Sequence, residues 1–263
     1  MKWNPSILRM PDRTKSRSNG NLIIKAILLL VGLFIVAAIL FPIFTKAKEG
    51  ENRDFCRSNL KQLGLAFMQY SQDYDDKMPT GTGWAYQVYP YIKSTGVYKC
   101  SFDDTSAPTN GKYVTSYAYN SNIGQPKGYK LPGDPASNTV LLFEVSNGCF
   151  SPDTGADATT TAQTTPSPTG DGTTLHLADG NPTCMAQLAT GDIGKRPAQS
   201  GTPERHEGGA NYLLLDGQVK WFKAEQVSSG ADAIKPEDGQ TGGIIGNAAG
   251  TADEGYEATF SRR

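Results

Sequence analysis

Hydrophobic positions change their spacing along this chain, and each change marks an element. Residues 22–44 form an apolar run of 23 residues interrupted by one charge, Lys25. A helix needs about 20 apolar residues to cross a bilayer. Beyond the run, Cys56, Leu60, Leu63, Phe67, Tyr70 and Tyr74 recur at intervals of 4, 3, 4, 3 and 4. That is one apolar stripe on a helix, opposite a polar face of Arg57, Asn59, Lys61, Gln62, Gln69 and Gln72. The two patterns join into a single predicted helix over about residues 22–75, in which Pro42 bends the axis or loosens a turn. Acids, Pro79 and glycines then stop it.

A second, short helix is predicted over 85–92, with Pro90 inside it. Strands are predicted at 97–102, 112–119 and 139–145. The last of these, "TVLLFEV", reads as a buried central strand. In "NYLLLDGQVKWFK" the dipeptide Asp216-Gly217 separates two β-rich runs, which predicts strands at 211–215 and 218–223 joined by a two-residue turn. The Thr/Pro-rich insert at 151–174 reads as a long, poorly ordered surface loop, and the small, polar tail after 226 as irregular. The plan is α+β: a long N-terminal helix whose amphipathic half packs on an antiparallel sheet.

Charge changes this picture at one end only. The net charge of −1 gives no reason to expect nucleic-acid binding. Residues 1–20, however, hold Lys2, Arg9, Arg13, Lys15 and Arg17 against one acid, Asp12. A basic head before an apolar run predicts that the head stays in the cytoplasm. A secretory signal has a shorter apolar core and a small-residue exit, so the run reads as an anchor with the rest of the chain outside the cytoplasm. Cys56, Cys100, Cys149 and Cys184 suit an oxidising compartment. Four cysteines allow three pairings, of which nearest-neighbour pairing, Cys56–Cys100 and Cys149–Cys184, is the simplest. There is no C-x-x-C to suggest zinc or redox chemistry.

Three stretches carry a family resemblance. The first is Gly20 followed by the apolar helix with its "ILFPIF"; the second is "CRSNLKQLGLAFMQYSQDYDDKMP"; the third is "RHEGGANYLLLDGQVKWF", in which His206 and Asp216 bracket nine residues and Gly217 follows. Together they resemble bacterial pilin-like proteins of the type II secretion pseudopilin class. The closer likeness is to proteins with a prepilin-type cleavage/methylation segment and a C-terminal H-x9-DG domain of unknown function. The resemblance implies a cut by prepilin peptidase between Gly20 and Asn21, which makes Pro42 the twenty-second mature residue, where the family's helix commonly carries its kink proline. It further implies a basic cytoplasmic leader at 1–20, a transmembrane helix at 21–45, a pilin-like globular domain at 46–226 and an irregular tail at 227–263. The implied location is the bacterial inner membrane, single-pass, with the globular domain periplasmic or extracellular. The implied partners are membrane lipid, other pilin-like subunits and the inner-membrane assembly machinery.

The chain departs from the family at two positions. The fifth mature residue is normally glutamate and is here Lys25; the first is normally phenylalanine and is here Asn21. In the family that glutamate pairs with the N-terminal amine of a neighbouring subunit, because a carboxylate in low dielectric needs a cation. Lys25 brings a second cation instead. A lysine at mid-membrane costs ~2.5–3.5 kcal/mol on insertion scales, although one so near the end of the run can reach the interface. Two readings follow. The chain is a minor or tip subunit whose place needs no glutamate–amine pair, or it is an uncut single-pass anchor displaying an extracytoplasmic binding domain.

Candidate chemistry is sparse. The only histidines are His176, in the insert region, and His206. The pair His206/Asp216 hints at acid–base work, but a hairpin turn already accounts for Asp216-Gly217. No nucleophile elbow, H-E-x-x-H or phosphate loop is present. No catalytic residue and no metal ligand is assigned, and the expectation is a protein that is not an enzyme. Calcium is the one cofactor the resemblance raises. Asp73, Asp75, Asp76, Asp103 and Asp104 supply carboxylates, but they match no fixed calcium-loop spacing.

Overall fold

The computed structural model describes residues 19–106, 113–124, 138–150, 169–170, 175–176, 187–188, 205–206, 208–228 and 256–260. The chain divides into two compact units, Met1–Lys48 and Glu49–Arg263. Helix α1 (Asn19–Asp73) is a single 55-residue element that runs through Pro42 without a break in its assignment. Its segment Asn21–Phe41 is long and apolar enough to cross a membrane, and none of it is buried inside the protein. Leu22, Leu28, Phe34 and Phe41 are each well over half exposed. An exposed apolar surface of that extent suits an apolar partner rather than water.

In the second unit the predicted stripe does the packing. Cys56, Leu60, Leu63 and Phe67 are all fully buried. They share a core with Tyr117 and Tyr119, Leu142 and Phe150, and Leu213. Phe67 sits between Trp84 and Tyr119, at ring separations of 5.7 and 5.2 Å. Each such side chain contributes roughly 1.5–3 kcal/mol by leaving water. Gly64 marks the closest approach of helix to sheet: a Cβ there would lie 3.1 Å from Leu213 Cδ1. Two details differ from expectation. Asn59, assigned to the polar face, is buried and donates from Nδ2 to the Lys99 carbonyl at 2.9 Å. Tyr74, assigned to the stripe, lies beyond the helix end, half exposed and stacked on Tyr70. The helix stops because Asp75 turns left-handed (φ 55°), and the Asp76 N–H then caps the Ser71 carbonyl at 2.8 Å.

Helix α2 (Trp84–Ile92) carries Pro90 inside it as expected. Residues 97–102 are not a strand. A 3-10 turn, Thr95–Tyr98, occupies the start of that segment, and Cys100 is held by the disulfide to Cys56. The alternating apolar residues there fill the core from a turn, which a period-two reading cannot separate from a strand.

The sheet comprises β1 (Tyr113–Asn120), β2 (Val140–Phe150), β3 (Thr169–Gly170), β4 (Leu175–His176), β5 (Gln187–Leu188), β6 (Gly209–Leu214) and β7 (Val219–Lys223). The order is β4-β3-β1-β2-β6-β7, with β5 on β2. Pairing is antiparallel throughout except for β1 with β3. The hairpin loop has three residues rather than the two expected. Leu214 N–H meets the Gln218 carbonyl, Gly217 N–H meets the Leu214 carbonyl, and Gly217 takes φ +83°. This is a turn closed by a left-handed glycine, so Asp216 need not adopt the positive φ that a two-residue turn would impose.

The sheet is covered on both faces. Tyr117, Tyr119, Leu142 and Leu213 face the helix core, while Ala118, Phe143, Val145, Tyr212, Leu214 and Phe222 form a second cluster with Val227, Ala258 and Phe260. Burial on both faces explains why β2 opens on four consecutive apolar residues, Val140 to Phe143. It also corrects the irregular tail. The strands β8 (Val227–Ser228) and β9 (Ala258–Thr259) pair in parallel, and Tyr256, Ala258 and Phe260 are buried. Part of the Thr/Pro-rich insert likewise adds the short strand β3 to the sheet rather than forming only a loop, and β4 follows just beyond the insert; residues 151–168 and 171–174 lie outside the described residues, as do leader residues 1–18.

Candidate functional site

The second unit buries a polar cluster in the midst of its aromatic core. Glu144 is the one acid in the apolar β2 run, and the pleat points it to the helix side beside Tyr117 of β1. Its Oε2 accepts from the Asn211 N–H at 2.9 Å, and its Oε1 accepts from Asn211 Nδ2 at 3.0 Å. The same Oε1 lies 3.2 Å from His206 Nε2, with both side chains fully buried. His206 Nε2 also lies 3.5 Å from Cys100 Sγ, one sulfur of the Cys56–Cys100 disulfide.

Several features fix the imidazole. His206 adopts a left-handed backbone, φ 53°, a conformation that costs a non-glycine residue roughly 1 kcal/mol or more. Its carbonyl accepts from Trp221 Nε1 at 3.0 Å, and its ring stands edge-on to Phe102 at 5.3 Å. His206 Nδ1 has no hydrogen-bond partner among the described residues.

Beside this lies a second polar group. Arg205 Nη2 donates to the Val145 carbonyl and to Ser146 Oγ, and lies 3.5 Å from Asp103 Oδ1. Asp103 in turn accepts from Ser116 Oγ at 2.6 Å and from the Thr105 hydroxyl. Ser116 Oγ accepts from the Cys100 N–H at 2.9 Å. The Tyr117 hydroxyl donates to the Cys56 carbonyl. Burial above all, and next the Glu144 carboxylate, pushes the Tyr117 phenol well above its usual pKa, so it stays neutral.

The sequence-derived candidates separate. Cys56 and Cys100 form the expected disulfide. Cys149 is disulfide-bonded, while Cys184 lies outside the described residues. His206 and Asp216 do not act together. The Asp216 carboxylate accepts from Gln218 within the turn, whereas His206 meets Glu144. The aspartates considered for calcium also separate. Asp73 accepts from the Tyr91 hydroxyl at 2.7 Å, Asp75 and Asp76 take positive φ after α1, and Asp103 belongs to the Arg205 network. Gly20 and Asn21 lie in the first turns of α1, with Lys25 exposed one turn further on.

Sequence reasoning missed Glu144, Asn211 and Arg205, and considered Asp103 only as a calcium carboxylate. The available signal was a lone acid inside "TVLLFEV", since an unpaired buried carboxylate is too costly to stand without partners. Beside the cluster, and sharing Asn211 with it, a cleft of about 410 Å³ is bordered by Arg53, Arg57, Lys220 and Trp221. No protein-family model, curated protein or solved structure matches this chain.

Proposed function

We propose that this chain is a membrane-anchored, pseudopilin-like structural subunit of type II secretion or a type IV pilus-like assembly. It is cut after Gly20, stands in the inner membrane through the first half of α1, and holds its sheet domain outside the cytoplasm. The observation that carries this reading is α1 itself. One helix, Asn19–Asp73, begins as an exposed apolar segment and ends as the fully buried stripe of an α+β domain. The exposed half is suited to lipid and to neighbouring helices. The buried half belongs to the core of the globular unit. Work of this kind needs helix packing and no turnover, and the His206 site is closed by burial rather than open to a substrate.

The reading is tested by affinity purification of the full-length chain from membranes of its own host after mild crosslinking. Pilin-like subunits are expected among the copurifying proteins. Lys25→Glu is expected to change their recovery severalfold. Recovery rises if an amine partner is restored, and falls if Lys25 meets a neighbour's carboxylate. Unchanged recovery would remove Lys25 from assembly, and the absence of pilin-like partners from the wild type would count against the whole reading.

A second reading is an uncut single-pass protein displaying a binding domain. It is favoured by Lys25 in the apolar segment and by the cleft in which Arg53, Arg57 and Lys220 surround Trp221. It predicts retention of residues 1–20 and a ligand with anionic groups.

A further inference from the structure

Four side chains from four separate segments converge on one point. Cys56 comes from α1, Cys100 from the turn after Thr95–Tyr98, Glu144 from β2, and His206 from the left-handed residue before β6. All are buried, and one ligand atom from each lies within 4.8 Å of all the others. We propose that these residues form a redox-gated zinc site: the disulfide closes it, and reduction opens a centre of two thiolates, one imidazole and one carboxylate.

The geometry carries the proposal. A tetrahedral zinc with Zn–S of about 2.3 Å and Zn–N or Zn–O of about 2.05 Å sets its ligand atoms at fixed spacings. Sulfur and nitrogen then stand about 3.5 Å apart, and nitrogen and oxygen about 3.3 Å apart. The corresponding distances here are 3.5 Å from Cys100 Sγ to His206 Nε2 and 3.2 Å from His206 Nε2 to Glu144 Oε1. Two edges of the tetrahedron are therefore already in place. The remaining ligand atoms lie within 4.8 Å of one another and must draw in to zinc spacing, while the two sulfurs separate to about 3.8 Å, the spacing of two thiolates on one zinc. Breaking the S–S bond permits that separation.

The donor set suits zinc over calcium or magnesium, because two thiolates and an imidazole are soft-to-borderline ligands. Support for the carboxylate is also present. Asn211 holds both carboxylate oxygens, its N–H at Oε2 and its Nδ2 at the Oε1 that also faces His206, in the manner of outer groups that orient metal ligands. The His206 backbone is held by Trp221. None of this follows from linear spacing, since the four ligands lie far apart in sequence and form no C-x-x-C or H-x-x-H.

The chemistry balances with a dithiol as reductant. The dithiol gives two electrons and two protons to Cys56–Cys100, becoming a disulfide itself, and leaves two thiols. Zinc then binds both sulfurs as thiolates, and the two thiol protons pass to water. A disulfide oxidant reverses the sequence: it accepts the two electrons and takes two protons from water to become a dithiol, the Cys56–Cys100 bond re-forms, and the metal is released. The same buried position therefore holds either a covalent or a metal crosslink between α1 and the sheet domain, according to redox poise.

The test uses the full-length protein in detergent, anaerobically, with zinc chloride as the probe. Bound zinc is measured after desalting, for the oxidised chain, the dithiol-reduced chain, and a reduced Cys56→Ser/Cys100→Ser variant that retains Cys149 and Cys184. The reduced wild type is expected to hold one zinc per chain more than either control, and to gain thermal stability when zinc is added. Cobalt substituted for zinc should show the charge-transfer absorption of two thiolate ligands. His206→Ala and Glu144→Gln should each weaken binding about tenfold or more. Zinc uptake by the reduced wild type no greater than by the double-serine variant overturns the proposal, whether or not the reduced chain stays folded. Affinity unchanged in both ligand variants overturns it as well.

Discussion

Glu144→Ala is expected to destabilise the second unit by about 3–5 kcal/mol, the summed cost of removing a buried acceptor on which several buried donors depend. The loss is large because one carboxylate serves several groups. Removing it strands the Asn211 N–H, leaves Asn211 Nδ2 with only the Arg53 carbonyl at 3.5 Å, and leaves His206 Nε2 with only the sulfur of Cys100. Each stranded buried donor costs about 1–3 kcal/mol. Glu144→Gln keeps an acceptor for Asn211 and is expected to lose less. Urea unfolding of the full-length protein in detergent, followed by the near-ultraviolet signal of the buried aromatic residues, measures both. A Glu144→Ala variant as stable as the parent would mean that the polar cluster is not held as described.

Removing the disulfide is the second large effect. Cys56–Cys100 closes a loop with a sequence separation of 44, and the chain-entropy model assigns such a loop about 4 kcal/mol. Cys56→Ala/Cys100→Ala is expected to lose an amount of that order. The loss should appear first as faster amide exchange in the turns of α1 around Cys56, because the bridge fastens the helix there to the segment before the sheet. A shift of under about 1 kcal/mol would show that the packing of Leu60, Leu63 and Phe67 holds the helix without the bridge. The two effects are not additive. Glu144, His206 and Cys100 touch one another, and neighbours of this kind couple.

The long helix was legible in the sequence because its two halves carry strong and different patterns, an apolar run broken only by Lys25 and a 4-3-4-3 stripe. The hairpin was legible because β6 and β7 flank a glycine that takes φ +83°, although "DG" alone does not distinguish a two-residue from a three-residue loop. Other elements were hidden for identifiable reasons. Val97 and Tyr98 are apolar and buried, but a 3-10 turn and a disulfide hold them, so alternation misread them as a strand. Tyr256, Ala258 and Phe260 sit in a polar tail with little periodicity, and only the tertiary partners Phe143 and Val227 reveal them as core.

The polar site was the least legible part. The resemblance paired His206 with Asp216 by spacing, yet the hairpin sends Asp216 to its turn and leaves His206 at the base, facing Glu144. Glu144, Cys100 and Cys56 meet His206 only after β2 crosses the sheet and α1 folds onto it. Contacts across such separations leave no local pattern. The lone acid in an apolar strand was the only trace, and it signals that a partner exists without naming it.

Processing of the N-terminal helix as an assembly device is the central claim. The most direct measurement is mass spectrometry of the N-terminal peptide of the full-length protein isolated from membranes of its own host. The expected peptide starts at Asn21, with a methylated α-amine. A peptide that retains residues upstream of Gly20 would contradict the claim, and would make the apolar helix a permanent anchor for whatever the outer domain binds.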